Sequence, residues 1–129
     1  MSFKELLVLK GLEKVEFLSI QKGPASKQLH QYPGLPLVTG QSAFNKTFNF
    51  LDTAAVLANC DLLISNDSSV VHLAGAMNIP TWIALKWIPE WRWGLQGSST
   101  PWYESVRLFR QPYKGNWSAV IKEMRKNLL

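Results

Sequence analysis

A chain of 129 residues, 47% of them hydrophobic, suffices for one domain with a packed core, so pervasive disorder is excluded and a single domain over 1–129 is expected. The net charge of +5 suits an anionic partner or simple solubility alike, and the basic residues are scattered among Glu5, Glu13 and Glu123 in helix-like segments, which disfavours an extended nucleic-acid surface. Cys60 stands alone, excluding an internal disulfide framework, and no apolar run approaches the ~20 residues of a membrane span. With no signal-peptide pattern at the N-terminus, the expectation is a soluble, cytoplasmic protein without a transmembrane segment.

Residues 3–11 predict a short helix closed by Gly11, and residues 15–20, β-branched and aromatic, a first strand. Residues 21–36 carry Gly23, Pro24, Pro33, Gly34 and Pro36 and read as loop, followed by a short extended piece at 37–39. Residues 41–49 show no clear period. Residues 51–60 predict a helix, with Asp52 as cap or first-turn acid. Residues 61–65 are a short apolar run expected to be a strand buried on both faces. The polar turn 66–69 then leads into a helix over 70–77, with Asn78 as its left-handed cap and Pro80 beyond. Residues 81–85 predict another buried strand, 106–109 a last strand, and 117–129 a closing helix capped by Asn116 or Ser118. Strands alternating with helices imply an α/β fold: a Rossmann-like three-layer sandwich with a mainly parallel sheet. Ligands of such sheets bind at the carboxyl ends of the strands.

The turn at 65–72 is the most informative segment. A strand runs through Asn66, Asp67, Ser68 and Ser69 directly into a helix, whose first N–H groups and positive dipole end suit an anion. The small Ser68 and Ser69 permit close approach and add hydroxyl donors. With Ser68 as the cap, Ser68 and His72 share a face, and His72 can offer a hydrogen bond to a phosphate or sugar oxygen. The plainer reading stays open: Asp67 and Ser68 only cap the helix, and His72 is a core histidine. The turn lacks the glycine pattern of dinucleotide sites and of the P-loop.

The runs Leu51-Asp52-Thr53-Ala54-Ala55 and Asp61-Leu62-Leu63-Ile64-Ser65-Asn66-Asp67-Ser68-Ser69-Val70-Val71-His72-Leu73-Ala74-Gly75-Ala76 resemble the donor-binding core of glycosyltransferase family 9, which includes heptosyltransferases. Further segments resemble a subgroup found behind tetratricopeptide repeats. These are Phe17-Leu18-Ser19-Ile20-Gln21-Lys22-Gly23-Pro24, Trp91-Arg92-Trp93, Pro101-Trp102-Tyr103 and Arg107-Leu108-Phe109-Arg110-Gln111-Pro112. The resemblance spans roughly residues 15–128. It implies one half of a GT-B fold, the C-terminal half that binds the nucleotide-diphosphate sugar. By that resemblance Asp67, Ser68, Ser69 and Val70 hold the diphosphate, His72 supports it, and Gln21 and Lys22 reach the phosphates from the loop after the first strand. Inverting hexosyl or heptosyl transfer would then need the N-terminal half, which carries the acceptor site and the base, so no catalytic residue is assigned in this chain. An N-terminal GT-B half or a tetratricopeptide-repeat region is the implied protein partner. The chain departs from the family pattern at Ser68-Ser69, where Thr and a small residue are usual, and at Asn66, Lys86 and Asn49.

Residues 86–102 hold Trp87, Trp91, Trp93 and Trp102. Packing over the sheet is the expectation for most of them. Lys86, Trp91 and Arg92 are candidate contacts to the sugar or base. No metal-ligand spacing is present, so donor binding is expected to need no metal or other cofactor. The competing reading is a non-catalytic nucleotide-binding or protein-interaction module that retains the half-GT-B fold.

Overall fold

The computed structural model describes residues 1–46 and 49–129. Strands β1 (Leu63–Asn66), β2 (Thr81–Leu85) and β3 (Val106–Arg110) form an all-parallel sheet in the order β1-β2-β3. Ser65 stands opposite Ile83 and Asn66 opposite Ala84, while Leu85 pairs with Arg110, so all three carboxyl ends lie along one edge. The central strand is the most apolar. Thr81, Ile83, Ala84 and Leu85 are buried, and Thr81 satisfies its hydroxyl by donating to the Ile79 carbonyl at 2.9 Å.

The helices are α1 (Phe3–Leu6), α2 (Gln28–Gln31), α3 (Gln41–Phe44), α4 (Phe50–Leu57), α5 (Ser69–Ala76) and α6 (Trp117–Leu128). Alternating strand residues sort into two cores. Leu63, Ile83, Leu85, Val106 and Leu108 pack with Leu57 of α4 and Val71 and Ala74 of α5. Ala84 and Phe109 face the other way, onto Val120, Ile121 and Met124 of α6 and onto Leu9 and Leu12 near the N-terminus. Helix, sheet and helix thus form the three layers of a Rossmann-like α/β unit, and this agrees with the expected half of a GT-B fold.

The local signals act largely as expected. Asn78 takes φ 56°, Ile79 N–H returns to the Ala74 carbonyl at 2.9 Å and Asn78 N–H to Gly75 at 3.0 Å, which closes α5 in a Schellman arrangement. Asn116, rather than Ser118, caps α6 by accepting from Ala119 N–H at 3.1 Å. Asn49 caps α4 by accepting from Asp52 N–H at 2.7 Å, which makes Asp52 the first-turn acid and gives Asn49 a structural role.

Three expectations are corrected. The first strand over 15–20 is reduced to a single parallel bridge between Phe17 and Leu37, which also accounts for the extended piece at 37–39. The cause lies in Gln41, which the sequence left without a role. Its side-chain amide accepts from Ser19 N–H (2.7 Å) and donates to the Ser19 carbonyl (2.8 Å), occupying the groups a neighbouring strand would use. The stretch 21–36 is more ordered than a loop, with a 3₁₀ turn at Gly23–Lys27 leading into α2. The aperiodic stretch 41–49 contains α3, and its residues 47 and 48 lie outside the described residues. Cys60 is half-buried, and burial followed by the neighbouring Asp61 carboxylate pushes its thiol above the usual value, as suits a packing residue. Among the described residues no helix is long and apolar enough to cross a membrane.

Candidate functional site

The parallel register sets the loops after β1 and β2 side by side. Asp67, Ser68, Ser69 and Val70 follow β1 directly, with Asp67, Ser68 and Val70 half-buried and Ser69 exposed. Ser68 has the extended backbone of an N-cap, at φ −157°, but its hydroxyl caps no N–H of α5. It lies instead 3.2 Å from the Ser65 hydroxyl. The capping half of the plainer reading therefore fails for Ser68, and the first turn of α5 keeps its dipole end without a side-chain acceptor from this residue.

His72, one turn into α5, is half-buried and fixed on two sides. Its ring stacks on Trp93 with centroids 5.4 Å apart and planes 19° apart, and Nδ1 lies 3.0 Å from the Tyr103 hydroxyl. It lines a cleft of about 250 Å³ together with Trp91, Arg92, Trp102 and Tyr103. Trp91 and Trp102 meet edge to face at 6.2 Å. The Arg92 guanidinium lies 5.6 Å from the Trp91 ring and pairs with Glu90 at 3.3 Å, while Trp102 Nε1 donates to the Arg92 carbonyl at 2.9 Å. Of the four loop tryptophans only Trp93 is buried, at 3% exposure; Trp91 is 73% exposed, and Trp87 and Trp102 are about half exposed. The expected packing of most of them is corrected. Trp93 anchors the loop in the core, and Arg110 and Gln111 hold the rest of it. Arg110 donates to the carbonyls of Trp93, Gly94, Gln96 and Gly97, and Gln111 accepts from Trp87 N–H at 2.9 Å and Gly115 N–H at 3.2 Å.

Gln21 and Lys22 line another cavity, of about 260 Å³, with Ser26, Lys27, His30 and Asn45. The Lys22 ammonium donates to the Phe44 carbonyl at 2.6 Å and sits 3.7 Å from the Phe44 ring centroid. Desolvation pulls its pKa below the usual lysine value, and the Asp52 carboxylate partly offsets the effect. The structure thus groups His72, Trp91 and Arg92 in one cleft and Gln21 and Lys22 in the other, while Asp67, Ser68, Ser69, Val70 and the exposed Lys86 line neither. Sequence reasoning missed Tyr103, Gly75, Arg110, Gln111 and Gln41 as site-shaping residues. A glycine inside a helical pattern was the signal for Gly75; a buried polar side chain such as Gln41 leaves none.

The fold and this edge define a Rossmann-like α/β domain with a polar strand-to-helix turn beside an aromatic cleft. The family model described as glycosyltransferase family 9 (heptosyltransferase) matches residues 46–85, which run through α4, β1, α5 and β2. Over that segment the chain is similar to this family, in agreement with the resemblance of its motifs. No match is found among curated proteins or among solved structures.

Proposed function

We propose that this domain binds the nucleotide-diphosphate sugar of a glycosyl transfer and stabilises the departing diphosphate. The observation that carries the reading is the start of α5. There Ser68 stands at the cap position without capping, within the segment that matches the family model. First-turn N–H groups and the Ser68 and Ser69 hydroxyls would receive the diphosphate beside Asp67 and Val70, and His72 would donate to it. Gln21 and Lys22 would add phosphate contacts, and Trp91, Arg92 and Lys86 contacts to the sugar or base. That second half, an N-terminal GT-B domain, would supply the acceptor and the base, with a tetratricopeptide-repeat region as the wider context. Donor binding is proposed to be metal-independent.

An amide NMR titration with ADP, GDP and UDP tests the reading. Saturable shifts at 66–72 and 91–93, unchanged by EDTA, are the expected result. Silence at millimolar nucleotide would overturn it. A protein-interaction module would then lead, a reading favoured by the exposed Trp87, Ile88, Trp91, Leu95 and Trp102.

A further inference from the structure

We infer that Tyr103 is a positioning residue for His72, its hydroxyl donating to Nδ1 so that the imidazole carries its proton on Nε2. The two side chains come from distant elements, and three features hold them together. The phenol oxygen lies 3.0 Å from Nδ1, and the rings meet edge to face at 5.8 Å and 61°. Trp93 covers the imidazole from a stacked position, fixing its plane. Gly75, one turn along α5 from His72, opens the space that Tyr103 fills: a Cβ there would lie 2.5 Å from the Tyr103 Cγ and 2.7 and 2.8 Å from its ring neighbours.

The direction of the hydrogen bond follows from chemistry. The lone pairs of a phenol oxygen delocalise into its ring, whereas the in-plane lone pair of an imidazole nitrogen does not. The nitrogen is the better acceptor and the phenol O–H the better donor. The bond made by one ring nitrogen sets where the proton of the other sits. With Nδ1 engaged by Tyr103, Nε2–H is the donor that His72 offers to the cleft it lines. The cleft is thereby matched to an acceptor, a phosphate or hydroxyl oxygen, and set against a donor. Which ligand brings that oxygen rests on the donor-site reading; the tautomer itself does not.

The test is histidine ¹⁵N NMR on the intact chain, at a pH where imidazole is neutral. His30 and His72 are the two histidines, and a His30→Asn variant assigns them. The wild type is expected to show His72 with protonated Nε2 and an acceptor-type Nδ1. Tyr103→Phe keeps the ring in its place beside Gly75 and removes only the hydroxyl, so it is expected to move the His72 pair toward mixed tautomers with the fold intact. Gly75→Ala, which displaces the ring, should do the same. A role in packing alone predicts no change in Tyr103→Phe. That result, or a wild type protonated on Nδ1, would overturn the inference. Tyr103→Phe is further expected to weaken the tightest-binding of ADP, GDP and UDP roughly threefold to tenfold. If none of the three binds the wild type, the donor-site reading fails while the tautomer measurement still decides this one.

Discussion

Arg110 Nη2 donates to the Trp93 carbonyl at 2.6 Å, and the same guanidinium reaches the carbonyls of Gln96 at 3.0 Å and of Gly94 and Gly97 at 2.8 Å. One side chain at the end of β3 thus gathers the backbone of the loop that carries the aromatic cleft. Burial pulls its pKa down from the ordinary arginine value, but a guanidinium that starts so high stays charged. The fork geometry matters as well as the charge, because a lysine ammonium is a compact donor on a flexible stem. Arg110→Lys is expected to cost about 1–2 kcal/mol in urea unfolding and to speed amide exchange at 93–97. Native-like exchange in that variant would show that the loop holds without the clamp.

Gly75→Ala sets two effects against each other. Alanine is favoured over glycine by up to about 1 kcal/mol in a helix interior, and by less in the last turn, where Gly75 sits. Against this, the new Cβ would meet the near edge of the Tyr103 ring at 2.5 Å, a part of the side chain that cannot swing away cheaply. Overpacking of this kind costs about 1–3 kcal/mol, so net destabilisation is expected. Adding Tyr103→Ala removes the clash and should leave the helix gain, giving a coupling of more than ~0.5 kcal/mol in a double-mutant cycle. Additive single effects would mean that the ring and the glycine do not meet.

The elements that the sequence displayed are those whose signals are local. β2 and α5 follow from an apolar run, a polar turn and the left-handed Asn78, and the resemblance over 51–76 identifies the segment that the family model matches. Patterns of periodicity could not show that a glutamine replaces a strand. The segment 15–20 has strand composition, but its pairing edge at Ser19 is taken by Gln41, some twenty residues away. Likewise the turn pattern points to His72 but not to Tyr103, because a hydrogen bond between residues 31 apart in sequence leaves no spacing to read. The tryptophans misled for a related reason. Their size argues for burial, but the loop is held by backbone carbonyls on Arg110, which frees Trp87, Trp91 and Trp102 to stay exposed.

Gln41 supplies a direct check on that account. It is 8% exposed and satisfies Ser19 N–H, the Ser19 carbonyl and Asn45 Oδ1, the last at 2.8 Å. Gln41→Leu leaves the two Ser19 groups without this partner and should destabilise by about 1–3 kcal/mol. Gln41→Glu keeps the acceptor for Ser19 N–H but turns a carboxylate oxygen toward the Ser19 carbonyl, which, unlike the Asn45 amide, cannot rotate to offer a donor. It is expected to be worse at neutral pH and to recover as the carboxyl protonates and regains a donor. Unfolding midpoints of the two variants across acidic pH measure this, and a Gln41→Glu stability with the same pH dependence as the wild type would refute it.

Lys22 separates charge from tethering. Its ammonium is engaged by the Phe44 carbonyl and ring, yet it lines the cavity with Gln21. If its charge serves a diphosphate, Lys22→Gln, which removes the charge and keeps a donor, is expected to lose roughly tenfold in nucleotide affinity, the scale of one charge-assisted hydrogen bond, with little change in melting temperature. The pH dependence has a definite sign. The ammonium is the form that binds an anion, and desolvation holds its pKa below the usual lysine value. Affinity should therefore begin to fall at a less alkaline pH than an ordinary lysine would give. Asp52 opposes that shift, so Asp52→Asn should lower the Lys22 pKa further and move the fall to lower pH still. Calorimetric titrations of the wild type, Lys22→Gln and Asp52→Asn with the best-binding nucleotide across alkaline pH read both effects. An affinity that Lys22→Gln leaves unchanged would remove Lys22 from the phosphate site and leave it as a support for α3 through Phe44.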